Sequence, residues 1–144
     1  MSLAKGRSNA RRKAMQALYQ WSISGNDLTE LEAQFNTEQD MSKVDTEYFR
    51  TLLHEIPAQV NSLDDMLSPH ISRDDETVDP VEQAILRISA YELKTRLDVP
   101  YRVVIDEAIN LARTFGAEQS HKFINGVLDK LAKELRQLEI QNQK

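Results

Sequence analysis

The segment Asp79-Pro80-Val81-Glu82-Gln83-Ala84-Ile85-Leu86-Arg87-Ile88-Ser89-Ala90-Tyr91 decides the fold class. Asp79 is a side chain that accepts hydrogen bonds from the free N–H groups of a helix start. Pro80 suits the first helical position, and Glu82 can reach back as in a capping box. Behind this start, Val81, Ala84, Ile85, Ile88 and Tyr91 recur at helical spacing and form one buried side. The segment therefore reads as an amphipathic helix with a strong start.

The same period extends in both directions. Downstream, Leu97-Asp98-Val99-Pro100 breaks the chain. A helix follows with Val104, Ala108, Leu111, Ala112 and Phe115 inward, and Gly116 is expected to close it in the left-handed conformation. The last helix carries Ile124, Val127, Leu128, Leu131, Leu135 and Leu138. Upstream, residues 68–79 are polar and acidic and read as the main linker. Before them, Val60, Leu63, Met66 and Leu67 form a stripe ended by Ser68-Pro69. Pro57 is expected in the first turn of that helix. Asp45 opens a helix with Tyr48, Phe49, Leu52, Leu53 and Ile56 inward. Leu28, Leu31 and Phe35 suggest a short helix of about three turns. In residues 8–24, Ala10, Ala14, Ala17, Leu18 and Trp21 form one stripe, stopped by Gly25-Asn26, with Arg7 ahead of the helix. No convincing alternation of period two appears. The expectation is an all-α fold of about seven helices. They form one domain over residues 1–144, built of an N-terminal bundle (about 7–68) and a C-terminal bundle (about 79–140).

Composition narrows the function. The chain has 144 residues, 40% hydrophobic and 28% charged, enough apolar material for a core. With no cysteine, disulfides, thiolate metal sites and a cysteine nucleophile are excluded. No apolar run approaches the roughly 18 residues of a membrane span, and no secretory signal is visible, so the expected compartment is the cytoplasm, with no membrane partner.

Net charge is −5, but it is unevenly spread. Lys5, Arg7, Arg11, Arg12 and Lys13 precede every acid, the first of which is Asp27. Beyond residue 13 the chain carries 13 bases against 23 acids, or −10. Such asymmetry reads either as a basic arm that meets a polyanion or as a solvated tail. The acidic stretches from Asp27 to Glu47 and from Asp64 to Glu82 would repel phosphate, which confines any nucleic-acid contact to one face.

Catalytic chemistry is not in view. There is no phosphate-binding glycine loop and no dinucleotide fingerprint. His54, His70 and His121 form no pair at ligand spacing, so neither metal nor cofactor is expected. The acids from Asp74 to Glu82 read as a solvated linker plus a helix cap rather than general acid–base groups. Ser120 lacks a nucleophile-elbow context. No enzyme is expected.

Two constellations remain. On the first helix, Arg12, Gln16 and Tyr19 share a stripe opposite Ala10, Ala14 and Trp21, with Arg11 at its border. Guanidinium groups bind phosphate bidentately, tyrosine offers a flat face to an unpaired base, and glutamine can read base edges. On the last helix, Phe123 sits about 100° from Ile124 at the edge of the core stripe, with Lys122 on the far side. An edge aromatic beside a lysine suits stacking with phosphate contact, although on this feature alone packing on a neighbouring helix is the favoured reading. Gly126 is unexpected there, since glycine costs about 1 kcal/mol inside a helix. It would admit close approach of another helix or of an RNA backbone.

With these residues in place, the chain resembles a known family. Ala14-Met-Gln-Ala-Leu-Tyr-Gln-Trp21, Ile88-Ser-Ala-Tyr-Glu-Leu93, Asp98-Val-Pro-Tyr101 and Ile105-Asp-Glu-Ala-Ile109 are similar to the NusB family of transcription antitermination factors. So is the long block Phe115-Gly-Ala-Glu-Gln-Ser-His-Lys-Phe-Ile-Asn-Gly-Val-Leu-Asp-Lys130. The likeness runs from about Arg7 to about Lys133. It implies a seven-helix fold of two bundles. It further implies binding of the boxA element of nascent ribosomal RNA leaders, a single-stranded RNA, together with the ribosomal protein NusE, within an RNA polymerase antitermination complex. Carried over by position, the family's RNA contacts suggest Arg7, Arg11, Arg12, Gln16, Tyr19, Gln119, Lys122 and Phe123. Some family members have an acid where this chain has Gln119. The family's partner surface suggests Glu76, Glu82 and Arg87, with Tyr19 nearby, and self-association into a homodimer through such a surface is compatible with it.

Two other classes are compatible with parts of this pattern. The fold resembles the RNA-binding N-terminal domain of certain ribosomal RNA cytosine methyltransferases, and the absence of a catalytic domain up to Lys144 argues against that reading. A protein-interaction bundle with an incidental basic tail is the other.

Overall fold

A computed structural model describes residues 2–71 and 78–142. Among these residues the chain is all-α, with no strand. The helices are α1 (Leu3–Ser24), α2 (Leu28–Glu38), α3 (Thr46–Ala58), α4 (Val60–Leu67), α5 (Pro80–Thr95), α6 (Tyr101–Phe115), α7 (Ser120–Leu135) and α8 (Gln137–Asn142), with a single 3-10 turn at Ser68–His70. The chain divides after Gln59, not within residues 68–79. The reason lies in α4: Leu63 and Leu67 are buried, and Asp64 grips Arg87 of α5, so α4 belongs to the C-terminal unit. The middle of the expected linker, including Asp74, Asp75 and Glu76, lies outside the described residues.

In the N-terminal unit, α1 starts earlier than expected. The Ser2 hydroxyl caps it by accepting from the Lys5 N–H (3.1 Å), which places Arg7 inside the helix rather than before it. Gly25 ends α1 in the left-handed region (φ 69°), where its N–H donates to the Trp21 carbonyl. Gly6, Ala10, Ala14 and Ala17 are buried on the side of α1 that packs against α3. Small residues let the two backbones approach, and the Asp45 N–H donates to the Gly6 carbonyl at 3.0 Å. Asp27 and Asp45 cap α2 and α3, each accepting from N–H groups of the first turn. Leu31, Phe35, Phe49, Leu52 and Leu53 are buried, with the Phe35 and Phe49 rings 5.7 Å apart. Pro57 does not open α4. It sits in the last turn of α3, where the helix ends one residue later and only one backbone bond is lost to the proline ring.

In the C-terminal unit, α5 is the central helix and packs against α4, α6 and α7. Its start is the capping box read from the sequence: Glu82 N–H donates to Asp79 (2.8 Å), and Asp79 N–H to Glu82 (3.4 Å). Gly116 departs from expectation. Its backbone is extended (φ −91°, ψ 175°), not left-handed. An added Cβ there would stand 2.8 Å from the Ala112 carbonyl oxygen and 2.9 Å from the Ser120 Cβ, so close packing rather than backbone conformation calls for glycine. The final helix also differs. α7 stops at Leu135, α8 begins at Gln137, and Leu138 is 75% exposed rather than part of the core stripe. The break is made by Arg136, which is buried and spends all five of its N–H donors. They reach the carbonyls of Glu92, Leu93, Arg96 and Val99 and the carboxylate of Glu139. Glu139 in turn accepts from the Tyr101 N–H at 2.8 Å and so helps to start α6. Burial alone would raise the Glu139 pKa. The Tyr101 N–H and the Arg136 guanidinium outweigh it and hold this carboxyl below its ordinary value.

Candidate nucleic-acid interface

The N-terminal arginines do not share one fate. Arg7 and Arg11 stand one turn apart on α1 and turn toward Tyr48 at the start of α3. Their guanidinium carbons lie 4.7 and 5.6 Å from the centre of the Tyr48 ring. Arg11 is 3% exposed and belongs to the packing of the unit; Arg7 is half-buried. Lys13 is tied to Gln39 by a 2.6 Å hydrogen bond. What stays open is the stripe Arg12, Gln16 and Tyr19: Arg12 is exposed, Gln16 half-exposed and Tyr19 38% exposed. Glycine, alanine and leucine on the other side of α1 fix this orientation by burying themselves against α3.

The second constellation sits at the start of α7. Gln119 occupies the cap position but makes no side-chain capping bond, and it is exposed. Lys122 is exposed and Phe123 half-buried, while Ser120 and Ile124 of the same turn are buried. Gly116 sets this geometry, since its bare Cα allows Ser120 to sit against the end of α6. Gln119, Lys122 and Phe123 thus share one end of one helix and combine an amide, a cation and a half-buried aromatic ring.

The residues expected at a partner surface are engaged within the chain. Glu82 is 1% exposed and serves the α5 cap, although its bond to the Asp79 N–H is long. The Arg87 side chain is 11% exposed and bound bidentately by Asp64, at 3.0 and 2.8 Å. Glu76 lies outside the described residues. A cleft next to these groups is lined by Asp64, Leu67, Ile71, Val78, Gln83 and Leu86.

No group of three or more potential ligand side chains is assembled among the described residues. His54 bonds to Glu32 (2.7 Å), which also pairs with Arg50 (3.6 Å), and His70 faces Glu134 (3.2 Å). No helix among the described residues is long and apolar enough to cross a membrane.

Two functional features escaped the sequence reading. Tyr48 as a platform for two arginines is one. Its trace was available, because Arg7 and Arg11 share the heptad spacing of buried Ala14 and Leu18. The Arg136 hub is the other; its partners are carbonyls some forty residues away, and no local spacing encodes them.

Comparison with known proteins places this architecture. The NusB family model matches residues 8–133. The transcription antitermination protein NusB of Teredinibacter turnerae is 58% identical over 137 residues, covering 94% of this chain and 93% of that protein. The NusB protein of Alcanivorax borkumensis is 54% identical over 138 residues, covering 96% and 92%. Among solved structures, T. maritima NusB superposes with a TM-score of 0.77 at 32% identity, covering 89% of this chain and 91% of that one. A crystal structure of the antitermination factors NusB and NusE in complex with dsRNA matches with a TM-score of 0.72 at 26% identity, covering 88% and 96%. By family model, sequence and fold alike, the chain belongs to the NusB family.

Proposed function

We propose that this protein is a transcription antitermination factor. It binds the boxA element of nascent ribosomal RNA leaders together with NusE and helps RNA polymerase resist termination in the cytoplasm. The observation that carries the reading is the open stripe Arg12, Gln16 and Tyr19, in a basic segment whose neighbours Arg11 and Lys13 are held by contacts inside the fold. Arg12 supplies a bidentate phosphate contact, Tyr19 a stacking face and Gln16 a base-edge contact. Gln119, Lys122 and Phe123 supply a second set of the same kind. Flat aromatic faces favour unpaired bases, hence a single strand. Membership of the NusB family supports the role, and the related NusB–NusE–RNA complex supports both classes of partner.

A NusE-type protein is assigned to the α4–α5 side of the C-terminal unit. The cleft between Leu67 and Leu86 would take an apolar side chain, and Asp64 and Glu82 would attract a basic one. The acidic remainder of the chain discourages indiscriminate RNA binding.

The test is a gel shift with a single-stranded boxA oligonucleotide, its duplex and a scrambled strand, each with and without a NusE-type protein. The expected result is preference for the single boxA strand, strengthened by the partner. Equal retention of the scrambled strand, or no RNA binding even with the partner, overturns the reading.

A further inference from the structure

We propose that the RNA path along α7 continues past its first turn: a single-stranded RNA backbone runs over Lys122, Gly126 and Lys130, and bare Gly126 lets the sugar-phosphate chain lie against the helix. This rests on the RNA-binding reading above and extends it.

The glycine is the starting point. Glycine is among the poorest helix residues, so one in mid-helix calls for a cause. Gly25 has one, its left-handed backbone, and Gly116 has another, the atoms that crowd it. Gly126 has neither. Its φ is not positive, and a Cβ added to it would meet nothing within 4 Å. Packing inside the chain therefore does not use this bare position. It lies about 160° around the helix from buried Ile124, on the outward face.

The surroundings identify the occupant. Lys122 and Lys130 are exposed one turn before and one turn after Gly126, and Lys133 shares the same arc of about 80°. Asp129, the acid on this face, sits 3.3 Å from the Lys133 ammonium and is balanced by it. Asn125, also exposed, can bond a ribose 2′-hydroxyl. A helix of a protein partner would be met by two lysines flanking the contact, whereas a polyanion is complementary to both. The face is also continuous with Gln119, Lys122 and Phe123, already assigned to RNA.

Gly126→Ala separates fold from binding. It should raise the thermal midpoint, since alanine is the better helix former and meets no obstacle. It should also weaken binding of a single-stranded boxA oligonucleotide about three- to tenfold, a modest loss of contact on the affinity scale. Lys130→Gln should lower the magnitude of the slope of log K against log salt by about 0.7, one phosphate contact on a single strand. Wild-type RNA affinity in Gly126→Ala, with Arg12→Ala and Phe123→Ala both weakened, overturns the extension and leaves the RNA-binding reading intact. Loss of affinity for a NusE-type protein with RNA affinity unchanged assigns the face to the protein partner and also overturns it. If no variant alters RNA binding, the underlying reading falls together with the extension.

Discussion

Arg11 is buried with its guanidinium carbon 5.6 Å from the centre of the Tyr48 ring, while Arg12, the next residue, is exposed. Two adjacent arginines of one basic run thus do different work. A cation over a tyrosine face contributes about 0.5–2 kcal/mol depending on desolvation, and the aliphatic stem adds packing. Arg11→Ala should therefore lower the thermal midpoint, and Arg12→Ala should leave it nearly unchanged. In a salt series of RNA affinity, Arg12→Ala should flatten the slope of log K against log salt by about 0.7. Equal melting temperatures for the two variants would show that the contact with Tyr48 contributes nothing.

The pair also shows what the sequence could and could not reveal. Helical period, the Asp45 and Asp79 caps and the Gly25 stop are local properties, and each was legible because a side chain and the backbone it caps lie within a few residues. The inward turn of Arg11 was half-legible. It shares the spacing of Ala14 and Leu18, but its charge argued for the surface. The division of the chain was not legible, because polarity marked residues 68–79 while the buried Leu63 and the Asp64–Arg87 pair bind α4 to α5 across about twenty residues of sequence. Nor was the Gly116 contact, whose demand for glycine comes from Ser120 folding back against α6.

Gly116→Ala tests that contact. The new methyl group would press on a backbone carbonyl, which cannot rotate away, and on the buried Ser120. Overpacking of this kind typically costs about 1–3 kcal/mol. Urea unfolding should show a lower midpoint with an unchanged m-value. Because the same contact sets the start of α7, RNA affinity should fall as well. A variant as stable as the parent would mean that α7 shifts freely, and the site would not depend on Gly116.

Glu139 gives a pH dependence with a defined sign. Its carboxyl is held below the ordinary value of 4.5 in the folded chain by the Tyr101 N–H and the Arg136 guanidinium, against the opposing effect of burial. Its contribution to stability is therefore present above that ordinary value and is lost as pH falls through the lower folded one. Glu139→Gln should be less stable than the parent at neutral pH, and the gap should narrow in acid below about 4.5. Urea unfolding of both proteins at pH 7 and near pH 3 measures it. A gap that stays constant would show that the Arg136–Glu139 contact does not depend on the charge.

Glu82 joins a structural duty to a proposed partner contact. Gln at this position can keep the capping box while removing the charge, so Glu82→Gln should lose little thermal stability. Its association with a basic NusE-type protein should weaken in titration calorimetry. Unchanged affinity would leave Glu82 with the capping duty alone and move the partner contact to Asp64 and the cleft beside it.

Phe123 and Arg12 are assigned different physical roles toward RNA, and salt separates them. A stacked base is held mainly by contact of flat apolar surfaces, so its loss should cost about 1–3 kcal/mol at every salt concentration. A phosphate contact releases counterions, so its loss changes the slope of the salt line as well as its height. Phe123→Ala should therefore shift log K down in parallel with the parent, where Arg12→Ala tilts the line. Phe123 is half-buried beside Ile124, so circular dichroism must accompany the titration. If Phe123→Ala unfolds the chain, the ring is a core element, and Phe123→Leu, which keeps apolar bulk without a flat face, becomes the deciding variant. Parent-like RNA binding by a folded Phe123→Leu protein would remove stacking from the account and leave α7 to contribute charge alone.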